Sequence, residues 1–248
     1  MNEVLDAVIQ RWQIQAEPDP LMLALLAAAV VVVTGVPAVW RVTRQAATII
    51  HEMGHVLVAW LVGRRVSGIK LHSDTSGVTV SKGRPDGPGL LLTFLAGYPA
   101  PGVLAVLLVW LASAGHAGAA LTVFQAVLML ALLLSRNAVG IFSCLLAAAA
   151  AGAVWWWNDP DVVVYTVVGL GAFYAAAGVR GSFDVTRVHI QGIGRGHDPR
   201  RRAQVAGTDA AQAARAWRLL PLPAALWLVF FHMLSAACAA AVVWMLWP

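Results

Sequence analysis

The sequence predicts an all-α polytopic membrane protein of about seven transmembrane helices (six to seven), with a small β-hairpin after one of them. Three observations support this fold class. Of 248 residues, 60% are hydrophobic and only 12% are charged, which is too little charge to cover a water-soluble domain. Several apolar runs approach or exceed the ~20 residues that a helix needs to cross a bilayer. One short stretch instead alternates apolar and polar residues, as a β-strand does.

Seven apolar segments are long enough to be candidate spans. They are residues 21–40, 45–63, 89–112, 119–135, 138–157, 162–179 and 222–247. Only the turn "SRN" (135–137) separates the fourth segment from the fifth, so one irregular helix across both is the alternative. The acidic residues before position 20 are unlike the basic start of a cleaved signal peptide, so we expect the first span to be retained.

The basic residues fall almost entirely on one side of this arrangement. With the N-terminus inside, 15 of the 17 lysines and arginines lie inside, and only Arg41 and Arg44 lie outside. Cytoplasmic loops carry such an excess. The predicted regions are therefore a cytoplasmic N-terminal tail (1–20), a membrane core (21–180), a cytoplasmic arginine-rich loop (181–220) and a C-terminal transmembrane helix (221–248). Because the positive charge follows the loops, nucleic acid is not an expected partner.

Tryptophans and cysteines agree with this placement. Trp155–Trp157 and, near the C-terminus, Trp244 and Trp247 are expected in the aromatic belt of the outer membrane interface. Cys144 and Cys238 fall inside apolar runs. They are therefore expected to be small core residues and not part of a disulfide framework.

The alternating stretch lies between the second and third spans. Residues 66–82, "VSGIKLHSDTSGVTVSK", place apolar and polar residues in turn on either side of "SDTSG". Glycine, serine and aspartate between two such runs are typical of a turn. The pattern predicts a β-hairpin that does not cross the membrane.

The motif "HEMGH" (51–55) lies in the middle of the second span, where ionisable side chains are costly. His51 and His55 are one helical turn apart and project from one face, which is the spacing with which two imidazoles hold one zinc ion. Glu52 lies beside the open coordination position, where it can take a proton from a metal-activated water. It is also the only glutamate after Glu17. The pattern indicates a metal site with a general base.

Five further stretches accompany this motif. They are "FLAGYPAPG", "SRNAVG", "GVRGSFD", "GTDAAQAAR" and the final "PLPAALW". Together with "HEMGHVLVAWLVG", they resemble the site-2-protease class of intramembrane metalloproteases, in the bacterial M50B-like branch of the M50 peptidase family. The resemblance covers residues 45–245, and HEMGH is its most specific part. It implies an integral protein of the bacterial cell membrane that uses Zn²⁺ to cleave a peptide bond within or at the edge of a membrane-anchored protein.

The third metal ligand is left open by this resemblance. A catalytic zinc takes three protein ligands, and better-known members of the class supply an aspartate from an N-P-D-G or L-D-G motif on a later span, a pattern from which this chain departs. Asp184, just after the sixth span, is favoured because it can fold back to the membrane with little chain. Asp209 is next, although Thr208 before it predicts an ordinary helix N-terminus. Asp86, in "GRPDGPG", is typical of a loop turn.

The expected depth of the histidines conflicts with this choice. His51 and His55 lie about 8–12 residues from the inner end of a straight span, which is about 12–18 Å at 1.5 Å per residue. Asp184 lies at the membrane edge. Either its segment re-enters the membrane, or a water-filled funnel reaches the histidines, or the helix boundaries differ.

Other polar residues have two interpretations each. Asn137, in the short turn, is either a donor to the oxyanion or to an extended substrate, or a turn residue. His232, in the last span, is either a partner of the metal ligands or a histidine satisfied by a backbone carbonyl. The histidines at positions 72, 116, 189 and 197 are expected at the surface. The run "GIGRGH" (192–197) lacks the strand and helix that flank a nucleotide-binding loop.

The leading interpretation is an integral-membrane zinc endopeptidase in which His51, His55 and Asp184 bind Zn²⁺ and Glu52 is the general base. Its expected partners are a membrane-anchored protein substrate and the lipid bilayer. The hairpin edge would pair with the unwound substrate, and the glycines and prolines of 97–102 would loosen the neighbouring span. The alternative is a non-proteolytic membrane metal-binding or scaffold protein that retains HEMGH. A transporter ranks last, because the sequence offers no second intramembrane acid–base pair.

Overall fold

The computed structural model describes residue 6, residues 9–194 and residues 198–247. The helices are α1 (Pro20–Gly35), α2 (Pro37–Leu61), α3 (Pro88–Leu95), α4 (Ala100–Ser113), α5 (Ala117–Leu134), α6 (Ala138–Trp157), α7 (Pro160–Gly194), α8 (Pro199–Ala206), α9 (Asp209–Ala216) and α10 (Ala224–Leu246). The strands are β1 (Arg65–Leu71) and β2 (Gly77–Lys82). Arg195 and His197, both assigned to a polar loop from the sequence, lie outside the described residues.

The helices confirm the all-α membrane fold with one small hairpin. Four of them, α5, α6, α7 and α10, are long and apolar enough to cross a membrane alone. Two pairs meet that test together: α1 with α2, bent by 98°, and α3 with α4, bent by 66°. Counting each bent pair as one span gives up to six among the described residues, which is the lower end of the predicted range.

The first bent pair explains why the structure gives up to six spans and not seven, if the pair is counted as one span. The sequence predicts two antiparallel passes for 21–40 and 45–63, but only Val36 separates α1 from α2. Pro37 starts α2 and disfavours a helical conformation in the residue before it, and Val36 is accordingly extended, with φ −77° and ψ 117°. The break bends the chain by 98°, which does not reverse its direction.

The N-terminal segment lies at the opposite end of α6 from the hairpin. Arg11 donates a hydrogen bond of 3.1 Å to the carbonyl of Trp155, near the end of α6, and stacks on its ring. The hairpin contacts the start of α6, and Arg44 donates to the carbonyl of Asp74 in the hairpin turn at 2.7 Å. The predicted charge distribution places Arg11 on the hairpin side and Arg44 on the other. In the structure Arg11 and the hairpin therefore contact opposite ends of α6, and the side of the membrane on which the N-terminus lies stays a prediction.

The predicted hairpin is antiparallel, and the turn between α5 and α6 covers the outer edge of β1. The N–H of Arg136 donates to the carbonyl of Ile69 at 2.9 Å. The side chain of Asn137 accepts from the N–H of Leu71 at 3.2 Å and donates to its carbonyl at 2.6 Å. The turn therefore extends the sheet beyond β1 and leaves β2 as the edge strand.

The register shows which backbone groups of β2 face the open side. Ile69 pairs with Thr79, and Leu71 pairs with Gly77. In an antiparallel ladder, paired residues direct their N–H and C=O groups either toward each other or both outward. Because Ile69 and Leu71 bond outward to the α5–α6 turn, Thr79 and Gly77 direct their backbone groups to the open side of β2.

A second buried cluster, apart from the main core of the bundle, positions the short helix α9. It joins α3, α7, α9 and α10, with Leu91, Val185, Ala213 and Phe231 among its buried members. Helix α3 in turn packs against α2. The cluster therefore brings the start of α9, at Asp209, next to the middle of α2.

Candidate metal centre

Three side chains converge between α2 and α9. The Nε2 atom of His51 lies 3.2 Å from the Nε2 atom of His55. Oδ2 of Asp209 lies 3.1 Å from the first nitrogen and 3.2 Å from the second. The three side chains are 8–19% exposed. Within the described part of the chain, this is the one group of three histidine, cysteine or acidic side chains that could hold a metal ion.

The triangle of atoms fits a tetrahedral metal. Zinc binds imidazole nitrogen and carboxylate oxygen at about 2.0–2.2 Å, so two ligand atoms on a tetrahedron around it are about 3.3–3.6 Å apart. The observed edges of 3.1–3.2 Å are within a few tenths of an ångström of that spacing. Oδ2 of Asp209 is buried and accepts no hydrogen bond. A buried carboxylate oxygen without a partner is costly, and a cation shared with the two imidazoles removes that cost.

The end of α3 and the segment that follows it orient the imidazoles. Nδ1 of His55 lies 2.7 Å from the carbonyl oxygen of Thr93. Because a carbonyl only accepts, Nδ1 carries the hydrogen and Nε2 keeps its lone pair for a metal. Gly97 leaves room for both rings, since a Cβ at this position would lie 2.5 Å from Nε2 of His55 and 2.6 Å from Cε1 of His51.

Asp209 is held by the start of α9. Thr208 is the N-cap residue, and its hydroxyl accepts a hydrogen bond of 3.3 Å from the N–H of Ala211. Burial opposes ionisation of Asp209, but the positive charge of a protonated His55 and the contact with His51 outweigh it, so the pKa of Asp209 lies below its ordinary value while protons, and not a metal ion, occupy the imidazoles. Asp209 is therefore a carboxylate at neutral pH, which is the form that binds a metal.

Glu52 follows His51 and faces strand β2. Its side chain is buried, and Oε2 accepts a hydrogen bond of 2.6 Å from the hydroxyl of Thr79. A Cβ at Gly77 would lie 2.4 Å from Oε1, so a glycine there leaves space for the carboxylate. The hairpin therefore fixes the Glu52 carboxylate next to the two histidines.

The centre lies in a cavity of about 760 Å³. Its walls are one face of α2, strand β2, the α3–α4 segment, part of α7 and the α8–α9 segment. His51, Glu52, His55, Asp209 and Tyr98 are among the residues that line it. A cavity of this volume is in the range that binds small molecules or a short stretch of peptide.

A family model described as Peptidase M50B-like matches residues 22–242 of the chain. The chain belongs to the Peptidase M50B-like family. No curated protein and no solved structure matches it. The matched region runs from α1 to α10 and includes the whole centre. An M50B-like peptidase with helices long enough to cross a membrane is a membrane metallopeptidase, and the resemblance drawn from the motifs is confirmed at this level.

In this M50B-like peptidase, Asp209 and not the favoured Asp184 lies beside the histidines. Oδ2 of Asp184 accepts a hydrogen bond of 2.9 Å from the indole N–H of Trp40. Its other oxygen, Oδ1, lies 3.5 Å from Nε of Arg180, one turn earlier on α7. Asp184 lines the same cavity, but its oxygens are directed to these two partners. The structure therefore brings Asp209, the second choice from the sequence, and not Asp184, next to both imidazole nitrogens.

The remaining candidates have local partners. Both amide atoms of Asn137 are bonded to the backbone of β1, and the residue is not part of the cavity lining, which favours its interpretation as a turn residue. His232 lies 2.8 Å from the hydroxyl of Thr186, a side-chain partner in place of the expected backbone carbonyl. Asp86 accepts a hydrogen bond of 3.0 Å from the N–H of Arg218, which is a loop contact.

Sequence reasoning missed several residues that shape the M50B-like centre. Gly97 was expected only to loosen a span, whereas it makes room for the two imidazoles. Gly77 and Thr79 carried a usable signal, because alternate residues of a strand share one face and both contact the carboxylate of Glu52. Thr93 carried no sequence signal, because the group that contacts His55 is its backbone carbonyl, which every residue has.

Proposed function

We propose that this protein is a zinc-dependent intramembrane endopeptidase of the site-2-protease type, in a bacterial cell membrane. Its reaction is hydrolysis of a peptide bond in or next to the transmembrane segment of a membrane-anchored protein. The observation that carries the proposal is the triangle of His51 Nε2, His55 Nε2 and Asp209 Oδ2, with edges of 3.1–3.2 Å, beside Glu52 in a cavity among apolar helices. A catalytic zinc takes three such ligands and keeps a fourth position open.

In this mechanism, His51, His55 and Asp209 would hold the zinc ion, and Glu52 would be the general base. A bound zinc lowers the pKa of a water molecule toward ~7 and polarises a carbonyl group. Glu52 takes a proton from the attacking water as the water oxygen bonds to the carbonyl carbon. Glu52 then gives that proton to the leaving nitrogen as the C–N bond breaks.

Thr79 links the general base to the open strand edge. Its hydroxyl donates to Oε2 of Glu52 at 2.6 Å, which holds the carboxylate and leaves Oε1 for the water. Its backbone groups, with those of Gly77, face the open side of β2. One short segment therefore contacts the base through a side chain and offers free N–H and C=O groups next to it.

An extended substrate segment fits this edge. A transmembrane helix must be unwound before its peptide bonds can be attacked, and the freed backbone groups then need partners that lipid does not provide. Pairing with the edge of β2 supplies them by strand addition. Residues 74–81 line the cavity together with the metal-binding side chains, so a segment paired there runs past the centre.

The pairing predicts a cross-linking pattern with a period of two. In a Glu52→Gln background, which prevents turnover, Val78→Cys is expected to form disulfides with every second cysteine placed along the juxtamembrane part of a single-span reporter. Side chains on neighbouring strands lie about 4.5–5.5 Å apart when directly opposite and alternate between the two faces. Val78 is exposed, and the native Cys144 and Cys238 are buried.

The matched control is Lys70→Cys, which pairs with Val78 in the register but lies on the covered strand β1. It is expected to cross-link weakly at every reporter position. Equal cross-linking along the reporter, or stronger cross-linking from position 70 than from position 78, would overturn strand addition at β2.

The function itself is tested with the full chain in proteoliposomes. The purified protein is expected to contain about one zinc ion per chain and to cleave a co-reconstituted reporter that has one transmembrane segment and a tag at each end. Treatment with a zinc chelator should stop cleavage, and added Zn²⁺ should restore it. A set of such reporters that stays uncleaved by zinc-loaded protein would contradict the proposal.

The non-proteolytic alternative loses the features that would favour it. A non-proteolytic scaffold would be favoured by a centre that lacks a carboxylate as third ligand, or by a centre that is closed to substrate. Asp209 supplies a carboxylate next to both histidines, and a cavity of about 760 Å³ reaches all three side chains. A buried general base next to the ligands also has no role in a protein that only binds metal.

A further inference from the structure

Tyr98, between α3 and α4, is a polar residue of the cavity that the mechanism above does not use. Its ring is fixed by two others: the ring centre of His51 lies 4.7 Å away, edge to face, and that of Phe231 lies 4.9 Å away. A Cβ at Gly181 would lie 3.7 Å from the ring, so α7 closes another side. The phenol is thus held against a metal-binding imidazole by packing alone.

No hydrogen bond of the Tyr98 hydroxyl is found among the described residues, and the residue as a whole is partly exposed. Tyr98 lines the cavity, so it borders the space that a substrate would enter. A tyrosine whose ring is packed between other rings and whose hydroxyl has no protein partner can donate a hydrogen bond from that hydroxyl to a ligand. Asn137 is not placed for this purpose, because its amide holds β1 and it is not part of the cavity lining.

Tyr98 and Glu52 approach the centre from different walls of the cavity. Glu52 is held by β2 through Thr79, whereas Tyr98 packs on α7 and α10 through Gly181 and Phe231. Addition of water to a carbonyl needs a base near the water and a donor near the carbonyl oxygen, which lie on different sides of the reacting carbon. Glu52 is therefore placed to act as the base for the water, and Tyr98 is placed to act as the donor for the carbonyl oxygen.

We infer that Tyr98 is a further catalytic residue, whose hydroxyl donates a hydrogen bond to the scissile carbonyl oxygen as that oxygen gains negative charge. The inference rests on the proposed peptidase function. As the water oxygen bonds to the carbonyl carbon, the π electrons of the C=O bond move to the oxygen, and the water proton goes to Glu52. Tyr98 keeps its own proton throughout, and the hydrogen bond weakens when the carbonyl re-forms and the amine leaves.

The first test is Tyr98→Phe, which keeps the ring and removes only the hydroxyl. The value of kcat for the tagged single-span reporter is expected to fall by about 10²-fold, as when one oxyanion donor is removed. KM, zinc content and the thermal unfolding midpoint should stay unchanged, because the packing against His51 and Phe231 is retained. Tyr165→Phe is the matched control: its hydroxyl accepts from the N–H of Asp19, near the start of α7, and its kcat should equal that of the unmodified protein.

A second readout does not depend on turnover. An apolar phosphinic tripeptide carries a tetrahedral, negatively charged PO₂⁻ group that mimics the oxyanion. Its affinity for the zinc-loaded full chain, measured by titration calorimetry in detergent, is expected to fall about 10- to 100-fold in Tyr98→Phe, which is the effect of losing one hydrogen bond to a charged group. Tyr165→Phe should bind it normally.

The outcomes separate this inference from the proposed function. If the unmodified protein cleaves the reporter and Tyr98→Phe matches it in both kcat and phosphinate affinity, the role of Tyr98 is overturned and the peptidase function stands. If no reporter is cleaved but phosphinate binding depends on the Tyr98 hydroxyl, the donor role stands and the peptidase function is overturned. If Tyr98→Phe raises KM and lowers the thermal unfolding midpoint but leaves kcat unchanged, Tyr98 has only a structural role and the inference is overturned.

Discussion

Replacing Glu52 with glutamine is expected to lower kcat for a membrane-anchored reporter by about 10²- to 10⁴-fold, the usual contribution of a general base. Zinc content and KM should stay unchanged. Glutamine has the same length as glutamate, and its amide oxygen still accepts the hydrogen bond that Thr79 donates to Oε2 at 2.6 Å. The amide does not take a proton from water, so the geometry survives and the proton transfer is lost. Initial cleavage rates in proteoliposomes, with zinc measured on the same preparation, check this.

Glu17→Gln is the matched control for this change. Glu17 is exposed in the N-terminal segment, away from the hairpin end of the bundle, so its variant should cleave at the unmodified rate. Two results would contradict the role of Glu52. Retention of a tenth or more of the activity would remove it as the base, and loss of zinc together with activity would make it a metal ligand.

The half of the centre on α2 was predictable because helix geometry alone determines it. Two histidines four residues apart share a face in any α-helix, and their Nε2 atoms are indeed 3.2 Å apart. The hairpin was predictable for a similar reason, since alternation and a turn-forming sequence are local properties. These features needed no knowledge of how the helices pack.

The third ligand depends on packing between distant parts of the chain, so no local pattern identified it. The sequence correctly predicts that Thr208 caps the helix of Asp209. It does not show that Ala210 and Ala213 of that helix are buried in the cluster that also contains Leu91 of α3. Small alanine side chains let α9 approach α3 closely, and this approach carries Asp209 to the histidines.

The prediction of two separate passes for residues 21–40 and 45–63, which put the span count nearer seven than six, has one physical reason. Hydropathy detects apolar length but not the angle between consecutive helices. Pro37 was the available signal, because the residue before a proline avoids the helical conformation. If the chain bends at Pro37, the first two segments become one span and Arg11 is separated from the hairpin. The contact of Arg11 with Trp155 agrees with that separation.

Replacing Asp209 with asparagine is expected to weaken zinc binding by more than about 100-fold, since changes one shell further out already cost 10- to 100-fold, and to abolish cleavage at limiting zinc. Asparagine keeps the size of aspartate but removes the charge that neutralises the metal. The matched control is Asp184→Asn, which removes the same charge from the same cavity. It should retain zinc and cleavage. Zinc affinity is measured by competition with a chromophoric chelator on the full chain in detergent.

The comparison of these two variants distinguishes coordination from a general electrostatic effect. A carboxylate anywhere in the cavity attracts a divalent cation, so loss of either charge weakens binding somewhat if attraction at a distance is the cause. Only a ligand also loses the bond itself, and Oδ2 of Asp209 lies 3.1–3.2 Å from the two imidazole nitrogens, whereas Asp184 is bonded to Trp40. Equal weakening in both variants would therefore reject Asp209 as a direct ligand. Zinc loss in Asp184→Asn alone would restore the ligand that the sequence favoured.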